Sequence, residues 1–148
     1  MTTLTLRIDW ADMDLFGHVN NVAFFRYVQA ARVAFWEHVG IGAGPGTNGV
    51  GAILSSTACQ FKLPLAYPGQ VQVHTYVAGI KTSSFELHHY LLDEQNQLVA
   101  EAQDVVVLFD YAAAHKAPIS DALRKRLLAE AHEPPSKKTG VRNTNIKL

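Results

Sequence analysis

The chain opens with an alternation of apolar and polar residues that predicts a β-strand from Thr3 to Trp10. Leu4, Leu6 and Ile8 fall on one side of this segment and polar residues on the other, which is the period of a strand with one buried face. Residues 11–21 follow as a loop rich in Asp, Asn and Gly, the residue types that favour turns.

A long, largely buried helix is predicted from Asn21 to Val39. Apolar residues occupy most of its circumference, and at 100° per residue the polar ones fall within an arc of about 140°. The residues of this polar stripe are Arg26, Gln29, Arg32 and Glu37. Asn20 or Asn21 is a natural N-cap, and Gly40 and Gly42 end the helix. Other elements should therefore wrap around it.

Four more strand-like segments follow, after a glycine-rich loop over residues 42–51 that includes Pro45 and Asn48. The predicted strands are Val50–Leu63, Val71–Ile80, Phe85–Leu92 and Leu98–Tyr111. Their short connections indicate antiparallel neighbours. A second, amphipathic helix is predicted from Ser120, its N-cap, to Ala131.

These elements predict an α+β fold in which an antiparallel sheet of about five strands wraps around one long central helix, with a short helix near the C-terminus. The 148 residues, 48% hydrophobic and 18% charged, suit one domain, which we place at residues 1–131. Residues 132–148 are predicted to be a flexible basic tail. The single cysteine, Cys59, excludes an internal disulfide framework and a cysteine-based zinc cluster.

Charge is unevenly distributed although the net charge is zero. Residues up to His115 carry −5 and those from Lys116 onward carry +5. The basic end is either a solvated tail or a surface that helps to hold a phosphorylated ligand. An acidic body without a recognisable reading module argues against nucleic acid binding. No apolar run approaches the roughly 20 residues of a membrane span, and the first residues lack signal-peptide features, so we expect a cytoplasmic protein.

The loop before the long helix concentrates the reactive side chains. Asp12, Asp14, Gly17 and His18 precede the two asparagines at the helix start. A helix N-terminus presents free N–H groups that polarise a carbonyl and stabilise an oxyanion. A carboxylate beside it can attack the carbonyl carbon or activate a water, and a glycine lets the chain bring these groups together.

The segment from Trp10 to Tyr27 resembles the signature of the 4-hydroxybenzoyl-CoA thioesterase branch of the hotdog superfamily. It has an acidic D-x-D pair, then G-H-V-N-N, then aromatic residues on the central helix. The resemblance in element order continues to about Tyr111. It implies a hotdog fold, hydrolysis of an acyl-CoA or acyl-carrier-protein thioester without a cofactor, and a homodimer or homotetramer with active sites between subunits.

The resemblance also implies roles for individual residues. Asp14 matches the catalytic carboxylate, acting as nucleophile or as general base, and Gly17 matches the loop glycine. Asn21 falls at the helix-start position that faces the thioester carbonyl. His18 either orients water or a neighbouring carboxylate, or bonds the loop backbone. Phe24 and Phe25 are core residues, one of which could line the acyl pocket.

The resemblance weakens where it would supply phosphate contacts. Family members that bind CoA often carry several basic residues in the turn after the third strand, but here Lys81 is the only one, with Ser83 beside it. Lys62 and the basic C-terminal region could compensate. Otherwise an acyl-carrier protein or a weakly bound CoA ester is the better substrate.

Other interpretations of the same residues stay open. Asp14 could only cap its loop, and Asp12 reads as a loop brace. D-x-D-x-x-G opens some calcium loops, but Phe16 and Ala23 stand where oxygen ligands are needed, so no metal is predicted. The rival functions are a hotdog hydratase or dehydratase acting on acyl thioesters and a non-catalytic acyl-thioester binder. An aspartyl phosphatase would need a parallel α/β sheet, which this pattern does not offer.

Overall fold

The computed structural model describes residues 1–42 and 49–132. Within these ranges the chain forms six strands and two α-helices. They are β1 (Thr2–Arg7), α1 (Asn21–His38), β2 (Val50–Phe61), β3 (Gln70–Ile80), β4 (Ser84–Leu92), β5 (Leu98–Asp110), β6 (His115–Lys116) and α2 (Asp121–Ala129). The predicted basic tail, apart from His132, and the loop residues Pro45 and Asn48 lie outside the described residues.

One antiparallel sheet holds all the strands, in the order β1-β3-β4-β5-β2, with β6 paired to the end of β5. The predicted α+β class and antiparallel sheet are confirmed. β6 has two residues, too few to produce a sequence pattern. In the described chain β1 and β2 are the two edges of the sheet. A bulge between Leu54 and Ser56 interrupts the pairing of β2 with β5.

Helix α1 lies across one face of this sheet, as predicted. The Asn20 side chain accepts a hydrogen bond from the Val22 backbone N–H at 2.9 Å, which makes Asn20 the N-cap. The apolar side of α1 packs into two clusters. Phe24 and Val28 join Val73 and Leu91 in the first. The second cluster contains Phe35, Val39, Phe85 and Leu87.

The prediction that Arg32 belongs to an exposed polar stripe of α1 is wrong, because its side chain is buried. Its Nη1 donates to Asp104 Oδ2 at 2.7 Å, and His89 Nε2 lies 3.1 Å from the same oxygen. His89 Nδ1 is 2.8 Å from Thr75 Oγ1. The four residues are at most 7% exposed. Since burying a charge requires a partner, Arg32 can enter the core only because Asp104 meets it there.

The first strand is shorter than predicted, because β1 ends at Arg7 and Trp10–Asp12 form a turn of 3-10 helix. The Asp12 backbone N–H donates to the Asp9 carbonyl at 2.9 Å, and the Asp9 backbone N–H donates to Asp12 Oδ2 at 3.1 Å. These reciprocal bonds turn the chain toward α1. At the other end of the chain, Ser120 caps α2 as predicted, but the helix ends at Ala129.

Candidate active site

Asp12 anchors the loop that joins β1 to α1. Its carboxylate is 5% exposed and accepts hydrogen bonds from Tyr27 Oη at 2.6 Å and from the Asp9 backbone. Arg26 forms an ion pair with the other oxygen. The Asn20 backbone N–H donates to the Asp12 carbonyl at 2.8 Å. Asp12 therefore ties the loop to α1, in keeping with its interpretation as a brace.

Asp14 lies in a tight turn that leaves half of its carboxylate free. Oδ1 accepts from the Phe16 backbone N–H at 2.8 Å and the His18 backbone N–H at 3.4 Å. The Asp14 N–H donates to the His18 carbonyl at 2.8 Å, and Gly17 has φ +80°, a value that favours glycine. No described residue bonds Oδ2, so this oxygen remains available for chemistry.

The same turn recurs between β4 and β5, where no reactive role was predicted. Asp93 Oδ1 accepts from the Gln95 and Gln97 backbone N–H groups at 2.9 and 2.8 Å. The Asp93 N–H donates to the Gln97 carbonyl, and Asn96 has φ +58° where the first turn has Gly17. Turn geometry alone therefore explains how an aspartate is held in this way. Any difference in reactivity between Asp14 and Asp93 must therefore come from the groups around each turn.

Those surroundings include the start of α1. Asp14, Asn20, Val22 and Arg26 line one shallow hollow of about 340 Å³. The Asn20 cap occupies the Val22 N–H, whereas the Asn21 N–H has no partner within the described ranges. The Asn21 side chain is exposed. The hollow thus brings Asp14 together with the first turn of α1, although Asn21 is not among its lining residues. Partial positive charge at this helix N-terminus favours a developing oxyanion.

A larger open groove of about 680 Å³ also borders Asp14 and is mostly apolar. Trp10, Met13, Leu15 and Tyr67 line it with Asp14. Trp10 is 76% exposed and Leu15 fully exposed. Large apolar side chains grouped on a surface mark a ligand or protein contact. Sequence reasoning missed this groove because Tyr67 comes from a distant turn.

The two predicted pocket aromatics differ in position. Phe24 is buried and Phe25 is half-buried. Both contact Phe61 of β2, with ring centroids 5.2 and 6.5 Å apart. Phe61 is 47% exposed and extends this aromatic wall to the edge of the sheet. It was not among the predicted site residues, because only the folded sheet brings it to the helix.

Of the predicted phosphate contacts, the Lys81–Ser83 turn lies far from Asp14 within one chain. Lys62 Nζ lies 3.1 Å from Gln60 Oε1 and 3.9 Å from Glu101 Oε2. Lys81 is exposed and lies 3.5 Å from Glu86. The Lys81–Ser83 turn adjoins the cluster around the last turn of α1, and α1 has 18 residues. At 1.5 Å per residue this places the turn about 27 Å along the helix from Asp14.

Cys59 is predicted to be unreactive in the native protein. Burial raises the pKa of its thiol to about 11, and the thiolate is the reactive form. At pH 7.5 a disulfide dye should therefore label the folded chain slowly and release one equivalent after unfolding in urea. Stoichiometric labelling of the folded protein within seconds would contradict this.

Residues 1–42 and 49–132 contain neither a candidate metal centre nor a helix that could span a membrane. No group of three His, Cys, Asp or Glu side chains is placed to bind a metal ion. Neither described helix is long and apolar enough to cross a membrane.

An antiparallel sheet packed on one long helix, with a carboxylate at the start of that helix, defines a hotdog fold of the thioesterase type. The chain belongs to the thioesterase-like superfamily, whose family model matches residues 8–127. The predicted resemblance to hotdog thioesterases is confirmed at this level. No curated protein matches the chain significantly.

Solved structures share the fold. The PA2801 protein of Pseudomonas aeruginosa, assigned as a thioesterase, is 30% identical, with a TM-score of 0.75 over 83% of this chain and 95% of its own. The BH1999 gentisyl-coenzyme A thioesterase is 22% identical, with a TM-score of 0.73 over 85% and 99%. The YbaW probable thioesterase of Escherichia coli is 15% identical, with a TM-score of 0.74 over 89% and 100%.

Proposed function

We propose that this protein hydrolyses an acyl thioester, of CoA or of an acyl-carrier protein, to a free acid and a thiol. The observation that carries the proposal is the arrangement of Asp14. One oxygen is fixed by the loop backbone, the other has no partner among the described residues, and Asp14 lines a hollow together with the start of α1. Membership of the thioesterase-like superfamily supports the reaction class.

The thioester carbonyl oxygen binds at the helix start, where the Asn21 N–H is open. Asp14 Oδ2 then follows one of two routes. As a nucleophile it adds to the carbonyl carbon, the thiolate leaves, and water opens the resulting mixed anhydride. As a general base it takes a proton from a water that adds to the same carbon. Both routes end in a carboxylic acid and a thiol, and neither needs a cofactor.

His18 and Gly17 serve this site through the loop. The His18 backbone N–H donates to Asp14 Oδ1. Its exposed imidazole is free to orient water. Gly17 provides the positive φ that closes the turn. Phe24 and Phe25, with Phe61 beside them, form the aromatic wall along which we place the acyl group.

A second copy of the chain completes the proposed site. β2 is an edge strand that carries exposed apolar residues, and such an edge is a template for pairing. Two-fold pairing of β2 with its copy would be antiparallel. The cross-strand register Ser84–Val107–Ile53 would then bring the partner's Lys81–Ser83 turn toward the Asp14 end. A homodimer, or a homotetramer built from it, would thus reunite these residues with Asp14.

The first test is thiol release from a panel of short, long and aromatic acyl-CoA thioesters and of acyl-carrier-protein thioesters. The free acid should be measured as well, so that labelling of Cys59 is not counted as turnover. We expect at least one ester to be hydrolysed with equal amounts of acid and thiol. Hydration of an enoyl thioester without thiol release would support the hydratase alternative. Tight binding without turnover would support a binder.

A further inference from the structure

Arg26 presents an arginine side chain to the hollow beside Asp14. Its side chain is 60% exposed, and Nη2 pairs with the buried Asp12. Asp12 is itself fixed by Tyr27 and by the loop backbone. The guanidinium is therefore held in a defined direction, while its Nε and Nη1 have no partner in the part of the chain that is described. A rigid fork with free donors is a ready recognition element.

The helix geometry brings this guanidinium level with the reacting groups. Arg26 follows Asn21 by five residues, a rise of about 7.5 Å along the axis. Side chains on a helix lean toward its N-terminus, and the pairing with Asp12 draws Arg26 back to the loop. It consequently lines the same hollow as Asp14 and Asn20.

An apolar acyl group would be a poor occupant of this position. Covering a guanidinium with hydrocarbon removes water from a charge without replacing its hydrogen bonds, which is unfavourable. Neutralising Asp12 requires only one edge of the guanidinium, so the remaining donors are left for a ligand. Hydroxyl and carboxylate oxygens are the acceptors that match them.

We propose that Arg26 determines acyl specificity by pairing with a hydroxyl or carboxylate oxygen on the acyl group of the thioester. This inference rests on the proposed function, because it concerns the same site. Arg26 would thus make the enzyme prefer thioesters with oxygen-bearing acyl groups over those with plain aliphatic or aromatic acyl groups. Arg26 then has two roles, since it also holds the loop through Asp12.

The test compares matched CoA esters, glutaryl with valeryl and hydroxybenzoyl with benzoyl, in wild type and in Arg26→Met. Wild type should prefer the oxygen-bearing member of at least one pair by about 10- to 100-fold in kcat/KM, the effect of a charge-assisted hydrogen bond. Arg26→Met should bring that ratio to about one, with the loss falling on the oxygen-bearing ester.

Two further variants separate recognition from support of the loop. Arg26→Lys keeps a charge for Asp12 but lacks the fork, so the preference should fall while the melting temperature is retained. Arg26→Met alone leaves the buried Asp12 carboxylate without its partner and could prevent folding. The double variant Asp12→Asn/Arg26→Met removes that carboxylate charge, so the ester preference can still be measured. A wild-type enzyme without preference, or equal losses on both members of a pair, would overturn the inference. Absence of hydrolysis for every ester would instead overturn the proposed function.

Discussion

Asp14→Asn is expected to lower kcat/KM for thioester hydrolysis by at least about 100-fold, the usual scale for loss of a reacting carboxylate. Asparagine keeps the Oδ1 acceptor for the Phe16 and His18 backbone N–H groups, so the turn should persist. It replaces the free Oδ2 with an uncharged amide that neither attacks a carbonyl nor accepts a proton. Release of acid and thiol from the best ester, with a melting curve for each protein, measures the effect.

Asp93→Asn is the matched control for this substitution. It makes the same chemical change in a turn with the same hydrogen bonds, but Asp93 lines neither the hollow nor the groove beside Asp14. Activity should stay within about twofold of wild type, because surface changes away from the site are usually small. If both variants lose activity equally, or if Asp14→Asn retains it, Asp14 is a turn residue and not the reactive carboxylate.

This pair of turns also marks the limit of reasoning from a motif. The hydrogen bonds around Asp14 and Asp93 are the same, so a local pattern of Asp followed by Gly or Asn specifies a turn and no more. The candidate site was predictable because the longer segment around Asp14 continues into a helix start. It is this continuation that places an open helix N-terminus beside one aspartate and not the other.

Much of the fold was visible in the sequence for local reasons. The β4 strand alternates along its whole length and β3 over its first half, and Asn20 and Gly40 mark the ends of α1. The burial of Arg32 was not predictable in this way. Its partner Asp104 is 72 residues further along the chain, so only tertiary structure reveals that the charge is matched. Phe61 and Tyr67 were missed for the same reason.

Arg26 shows how a correct local assignment can hide a functional candidate. Its exposed position on α1 agreed with the predicted polar stripe, and a charge on a solvated helix face usually needs no explanation. Its pairing with Asp12, fourteen residues earlier, joins it to the loop. The sequence offered one signal, an arginine in the second turn of α1, shortly after the G-H-V-N-N segment. The number of residues between Asp12 and Arg26 did not indicate that the two side chains pair.

Asp104→Asn is expected to lower the free energy of unfolding by about 3–5 kcal/mol, because it leaves the buried Arg32 without its counter-charge. The side chains of Arg32 and His89 both bond Asp104 Oδ2, and their exposures are 7% and 0%. Urea unfolding at pH 7 measures the cost. A double variant with Arg32→Met removes the orphaned charge as well, so it should be less destabilised than the two single changes added together.

The Asp104 carboxylate should also make the free energy of unfolding depend on pH. Burial alone would raise the pKa of Asp104, but hydrogen bonds from His89, Thr57 and Arg32, together with the charge of His89, outweigh it and hold the pKa below its ordinary value. A lowered folded-state pKa means that the carboxylate contributes stability above its unfolded pKa, and that this contribution is lost as pH falls toward the folded pKa. Unfolding free energies from pH 7 down to pH 3 should therefore fall less steeply in Asp104→Asn than in wild type. Parallel curves, or a cost below about 1 kcal/mol at pH 7, would show that Asp104 does not hold Arg32 in the core.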